Sequence, residues 1–246
     1  MTRRLRTLLA PLLVCAFALG LTSTAHAAKG MELAVQDDNV LRDGLWNPFT
    51  GFEKARELNA TWVRVNLTWS QAVNGANRRK QPKNLTYNWV RWDDAVNRAA
   101  QQGIKVELTL TGPAPRWATG NRKKGVYKPK AAKFGSFARS AAQHFDGRVG
   151  RYTIWNEPNL RQWLQPIRQS PRLYRNLYAS AYRGIKSVDS SNQVLIGETA
   201  PYGQRDSEGL RTIAPLKWLR GVTRVNRRYR GHRGSMLRTD GYAHHP

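Results

Sequence analysis

Residues 62–69, WVRVNLTW, alternate between apolar and polar side chains. Val63, Val65 and Leu67 fall on one side, and Arg64, Asn66 and Thr68 on the other. Period two predicts a strand. Around it the pattern switches repeatedly between this period and the helical one. MELAVQDD (31–38) predicts a first strand, and Thr50-Gly51-Phe52-Glu53 has the form of a capping box opening a helix that buries Phe52, Ala55 and Leu58. After the second strand, Trp89, Trp92, Val96 and Ala99 share one helical face, with Gly103 placed to take the left-handed stop. IKVELTLTG (104–112) is the third strand. Phe134, Phe137, Ala141 and Phe145 mark a third helix, RYTIWNE (151–157) a fourth strand, and Leu173, Leu177, Ala181, Ile185 and Val188 the next helical stripe. QVLIGET (193–199) is a fifth strand, a less regular helix covers roughly 214–228, and RTDGYAHH (238–245) is a sixth strand.

Strands that alternate with helices imply a parallel sheet, because each return crossover needs a helix of its own. An open doubly wound sheet and a (β/α)₈ TIM barrel both satisfy this order. No glycine-rich phosphate loop follows the first strand. Polar residues gather at strand ends instead: Asn66, Thr68, Asn156, Glu157, Glu198, His244 and His245. In a barrel those ends build the active face, so the expected fold is an α/β barrel.

The first 27 residues stand apart. Arg3, Arg4 and Arg6 precede an apolar run from Leu8 to Leu21, and Ala25-His26-Ala27 completes a secretory signal peptide with cleavage expected after Ala27. The apolar run is shorter than the roughly 20 residues of a membrane span, so export without a membrane anchor is expected. Residues 28–246 then form one domain. They contain no cysteine, since Cys15 lies in the leader, which excludes a disulfide framework or a thiolate metal site. The net charge is +25, and the leader carries only three of the basic residues. Such a charge suits acidic partners or simply an arginine-rich exported surface.

The stretch WNEPN at the end of the fourth predicted strand resembles the acid/base signature of the retaining glycoside hydrolases of clan GH-A. Within that clan the chain most resembles the cellulase-like family five and the xylosidase-like family thirty-nine. WVRV on strand two, LTLTGPAPRWA after strand three and AHHP at strand six fit in the same order. The resemblance implies that Glu157 is the general acid and later the base. It implies that Asn156 bonds the sugar 2-hydroxyl, that Arg64 orients the nucleophilic carboxylate, and that His245 is the strand-six histidine, with His244 competing for the role. A structural carboxylate paired with an arginine is the plainer alternative for Glu157, and an interior pair with Glu107 the plainer one for Arg64. Glycoside cleavage needs a proton on the leaving oxygen as charge builds on the ring. Aromatic walls such as Trp155 and Trp163 are expected to raise the pKa of Glu157. Trp117 and Trp163 are candidate stacking platforms, with a core aromatic as the alternative for each. No metal and no cofactor is expected; a metal site at His244-His245 is disfavoured because adjacent residues on a strand face opposite ways.

In the resembled clan the nucleophile is a glutamate on strand seven. The chain ends at Pro246, after the sixth predicted strand, so the expectation is a C-terminally incomplete barrel lacking that residue, neither an efficient hydrolase nor a stable monomer. Glu198, ending strand five, is expected beside the acid rather than opposite it. The expected partner is a poly- or oligosaccharide. Arg78, Arg79, Lys80 and Lys83, together with Arg122, Lys123, Lys124, Lys128 and Lys130, give a hint of an anionic one, although Arg220, Arg224, Arg227, Arg228, Arg230 and Arg233 spread the charge to the other rim. The alternatives are a secreted carbohydrate-binding pseudoenzyme and, less favoured, a basic nucleic-acid or envelope binder; nothing in the sequence resembles a nucleic-acid reader.

Overall fold

The computed structural model describes residues 31–45, 47–120, 125–206, 209–228, 230–231 and 236–246. The signal-peptide expectation and the cations Arg122, Lys123, Lys124 and Arg233 lie outside the described residues. Six strands pair in parallel, each with the next: β1 (Ala34–Val35), β2 (Trp62–Thr68), β3 (Lys105–Thr111), β4 (Arg151–Ile154), β5 (Gln193–Thr199) and β8 (Gly241–His244). They make a curled half-barrel sheet. Between β5 and β8 a polar hairpin intervenes, β6 (Gln204–Asp206) against β7 (Gly209–Thr212), which no apolar periodicity announces.

The helices are α1 (Asp38–Leu41), α2 (Pro48–Glu57), α3 (Trp69–Ala72), α4 (Val90–Gln101), α5 (Ala131–His144), α6 (Ser170–Lys186) and α7 (Pro215–Thr223). Most of the apolar stripes expected on α4, α5 and α6 are buried: Trp92, Val96, Ala99, Phe134, Phe137, Ala141, Leu177, Ala181 and Ile185 lie in the core, while Trp89, Leu173 and Val188 are only partly buried against it. On the other side of that core stand Val63, Val65, Leu67, Leu108, Leu110 and Val194 from the sheet. Among the described residues no helix is long and apolar enough to cross a membrane.

Several boundaries differ from the pattern. α2 begins at Pro48, so Thr50 is already inside the helix and does not cap it, and Leu58 lies beyond its end, largely exposed. β1 keeps two residues of the eight expected, because its only strand pairing among the described residues is to Trp62 and Val63. The irregular helix contracts to α7, ended by Arg224 in the left-handed region at φ +56. β4 stops at Ile154, which puts Trp155, Asn156 and Glu157 on the loop just past the strand.

Candidate active site

The loop after β4 is built on unusual backbone. Trp155 (φ +67) and Glu157 (φ +41) adopt left-handed conformations, as does Glu198 (φ +56) at the end of β5. Each such non-glycine residue costs on the order of 1–3 kcal/mol, held only where surroundings dictate it. The surroundings are visible. Trp155 is fully buried, edge-on to Phe134, and its Nε1–H donates to the carbonyl of Trp163 at 3.0 Å. Its indole lies against Gly112, where any side chain would collide with the ring. Trp155 is therefore an anchor under the loop and not a wall of the site. Trp163, tied down by that bond, donates its own Nε1–H to Glu157 Oε2 at 3.0 Å.

Glu198 is turned inward by a bulge. The β5–β8 register pairs Gly197 with Ala243 and Thr199 with His244, leaving Glu198 as the extra residue. Gly197 sits at φ +123, against the Ala243 carbonyl and the Tyr242 ring, and its N–H donates to Tyr174 Oη at 2.7 Å. Glu198 is 2% exposed.

Arg64 and His245 join the two acids. The Arg64 guanidinium, buried at the centre of β2, bonds Glu198 Oε2 and Gln36 Oε1, reaches Asn156 Oδ1 at 3.1 Å, and keeps a 4.0 Å ion pair with Glu107. His245 Nδ1 lies 3.2 Å from Glu157 Oε1 and Nε2 lies 3.0 Å from Glu198 Oε2. With a carboxylate against each ring nitrogen, both nitrogens must donate, so the ring is an imidazolium. The bonds to Glu157 and Glu198 overcome its burial and raise its pKa to about 9.

The acids shift the other way. The His245 bond, opposed by burial and helped by the His245 charge, the Trp163 bond and Arg64, holds Glu157 below the ordinary carboxylate value. Burial pushes Glu198 up, but the His245 bond and the Arg64 and His245 charges outweigh it and leave Glu198 lowered too. The expectation of a raised Glu157 pKa is thus corrected. The aromatic neighbour Trp163 presents a hydrogen-bond donor to the acid, and a donor stabilises the charged form.

Of the site residues read from sequence, Glu157, Asn156, Arg64, His245 and Trp163 come together. His244 does not: it is exposed on the other face of β8, its Nδ1 2.8 Å from Thr199 Oγ1 and its ring stacked over Tyr242. Trp117 does not either. It is 5% exposed, in edge contact with Trp69, so neither ring face is open to a sugar. Sequence reasoning set aside Glu198 as an adjacent acid; its only signal was an acid after Ile196-Gly197 at a strand end. Among the described residues no cluster of histidine, cysteine and carboxylate has a metal-holding arrangement.

Residues 29–222 match the family model described as Cellulase (glycosyl hydrolase family 5). No curated protein matches the sequence. Among solved structures, a monomeric beta-xylosidase from Caulobacter crescentus is 18% identical, covering 80% of this chain and 49% of its own, with a TM-score of 0.54. The GH39 enzyme from Xanthomonas axonopodis pv. citri is 20% identical, covering 82% of this chain and 49% of its own, with a TM-score of 0.53. The chain thus spans about half the length of these two structures, and at such identities the likeness is one of fold.

Proposed function

This chain belongs to glycosyl hydrolase family 5, and from that premise we propose that it acts on O-glycosidic bonds of a poly- or oligosaccharide by a retaining double displacement, with Glu157 as the acid/base and with a nucleophilic carboxylate that residues 1–246 do not supply. The observation that carries this is the Glu157 carboxylate itself. It stands just past β4 on a strained loop, partly open to solvent (side chain 24% exposed), with one oxygen on His245 and the other on Trp163. Two fixed donors orient its lone pairs, as general acid–base work requires.

The resting charges assign the proton. Glu157 is ionised and His245 carries the proton, so the hydrogen destined for the leaving oxygen passes from His245 Nδ1 to Glu157 Oε1 and on to the glycosidic oxygen. In the second displacement Glu157 takes a proton from the incoming water and passes it back to His245 Nδ1, which restores the resting charges. Asn156, whose Oδ1 accepts from Arg64, keeps its amide N–H groups for a sugar hydroxyl. Trp163 lines the acid as its donor, and His244 and Trp117 take no part.

A second reading, saccharide binding without turnover, has one observation in its favour. The other carboxylate of the network, Glu198, is buried and bound by both Arg64 and His245, which blunts it as a nucleophile. Comparing Glu157→Ala with the unchanged residue on two substrates, in a chain completed with the nucleophilic carboxylate, separates the readings. Hydrolysis of alkyl glycosides, which need protonation, should fall by at least about a hundredfold, and that of activated aryl glycosides far less. Equal losses on both would remove Glu157 from the acid/base role, and no turnover by either protein would favour the binding reading. We further propose export by the leader at 1–27, checked by the N-terminal sequence of protein from culture supernatant.

A further inference from the structure

The first strand ends beside the site. Val35, the last residue of β1, pairs with Val63, so the register carries Gln36 to the side of Arg64. The backbone is pinned on both sides of Gln36. Before it stands the sheet. After it, Asp37 caps α1 by accepting from the N–H groups of Asn39 and Val40, and Asp38 accepts from the backbone N–H and the side-chain amide of Asn66 at 2.8 and 2.6 Å. Gln36 itself is exposed, past the same end of the parallel sheet as Glu157.

Arg64 Nη1 bonds the side-chain amide of Gln36, and Nη2 bonds that of Asn156 at 3.1 Å. A guanidinium can only donate, so in both amides the oxygen faces it and the NH₂ group points away. The NH₂ group of Gln36 has no partner among the described residues. One buried cation thus holds two amides, each with its acceptor engaged and its donors turned outward. Holding them beforehand matters. A loose glutamine gives up rotamer freedom when it grips a ligand, and the bond to Arg64 has already removed much of that freedom.

We infer that Gln36 is a second sugar-reading residue, whose amide N–H donates to the ring hydroxyl next to the one taken by Asn156. The inference rests on the saccharide reading and deepens it by naming a ring position that the substrate must leave free. By the family resemblance Asn156 bonds the 2-hydroxyl. Of the two ring carbons beside it, C1 carries the scissile bond and faces Glu157. The remaining neighbour is the 3-hydroxyl, which the amide on the other arm of the guanidinium meets. A sugar deoxygenated or acylated at that position leaves Gln36 unmatched, and a site built to hydrogen-bond a hydroxyl binds the analogue lacking it less well.

Titration of the full chain with phenyl β-glucoside, phenyl β-xyloside and the 3-deoxy analogue of each tests this without turnover, read by nitrogen–proton spectra of the side-chain amides. The Gln36 NH₂ resonances should move with a parent glycoside and stay still with its analogue, which should bind about fivefold more weakly. Gln36→Glu keeps an oxygen for Arg64 and loses both donors, whereas Gln36→Met loses both functions. Each should weaken the parent glycoside about fivefold and leave the 3-deoxy analogue unchanged, with an unaltered unfolding midpoint showing the fold intact. A loss in Gln36→Met alone would show that Gln36 serves Arg64 and not the sugar, and would overturn the inference. So would equal losses on parent and analogue, or Gln36 resonances that stay still while those of Asn156 move. If no glycoside binds the unchanged chain, the saccharide reading falls and this inference with it; binding that ignores Gln36 sinks this inference alone.

Discussion

The carboxylates of Glu157 and Glu198 share one imidazolium. His245 meets the first through Nδ1 at 3.2 Å and the second through Nε2 at 3.0 Å, while Arg64 closes the circuit from Glu198 to Asn156. The two acids and two cations of this circuit balance one another, with Glu107 a further carboxylate 4.0 Å from Arg64, and removing one charge of the circuit upsets that balance in partly buried surroundings. This arrangement explains why both acids stay ionised although one of them is nearly inaccessible. It also makes the set readable by titration.

Stability should depend on pH through His245. Its folded-state pKa is raised from 6.5 to about 9, so its contribution is fully present below about pH 6.5 and is lost as pH rises through about 9. Glu157 and Glu198 are lowered from 4.5, so theirs is present above that value and lost as pH falls through their depressed values. Chemical denaturation should show a maximum near pH 5–6.5 and a decline toward pH 9. In His245→Gln the alkaline decline should disappear; a decline that persists would assign it to another group.

The Glu157 pKa can be followed by carbon-detected NMR titration of labelled side-chain carboxyls, without any substrate. His245→Gln should raise it most, since that bond is the largest influence. Trp163→Phe should raise it less and cost about 1 kcal/mol of stability or under, the net worth of one hydrogen bond. A Glu157 pKa unmoved by either change would break the assignment of its partners.

Glu198→Ala should destabilise the chain by about 3 kcal/mol, the low end for orphaning one member of a buried pair, because Arg64 retains Gln36, Asn156 and the distant Glu107. Adding Arg64→Met should restore much of the loss, since the unpaired buried charge is then gone. Urea unfolding of the two variants decides; a double variant less stable than the single one would mean that Arg64 holds the site through its other bonds.

The middle of the chain was legible because its strands and helices are buried on strong periodicities. β2, β3 and β5 carry apolar runs long enough to fix their span, and the stripes of α4 to α6 read directly as core. The ends were overread. β1 and β8 lie at the margins of the sheet, and their length follows from how much partner strand they meet, which no local pattern encodes. The β6–β7 hairpin is polar, held by Thr212 against Leu160 rather than by an apolar face of its own. At the site, residue types announced Glu157, Asn156, Arg64 and His245. The charge states were hidden because they depend on which donor faces which oxygen, and Trp163 gave a donor where an apolar wall was expected. Glu198 was hidden because a one-residue bulge, and not the strand's alternation, aims it.

That bulge supplies the last prediction, Gly197→Ala. Gly197 sits at φ +123, a region that side chains rarely adopt, and a Cβ there would run into the Ala243 carbonyl of the neighbouring strand. Backbone cannot yield as a flexible side chain can, so β8 must separate from β5 or the bulge must flatten. Either movement shifts His245, two residues beyond Ala243, away from Glu198. The variant should lose about 2–4 kcal/mol, combining left-handed strain with the weakened ion pair. More telling, the His245 pKa in the surviving folded fraction should fall from about 9 toward its ordinary value. NMR titration of the histidine ring protons checks this directly. A folded variant with His245 still near 9 would show that Gly197 serves strand packing alone and does not set the distance between His245 and Glu198.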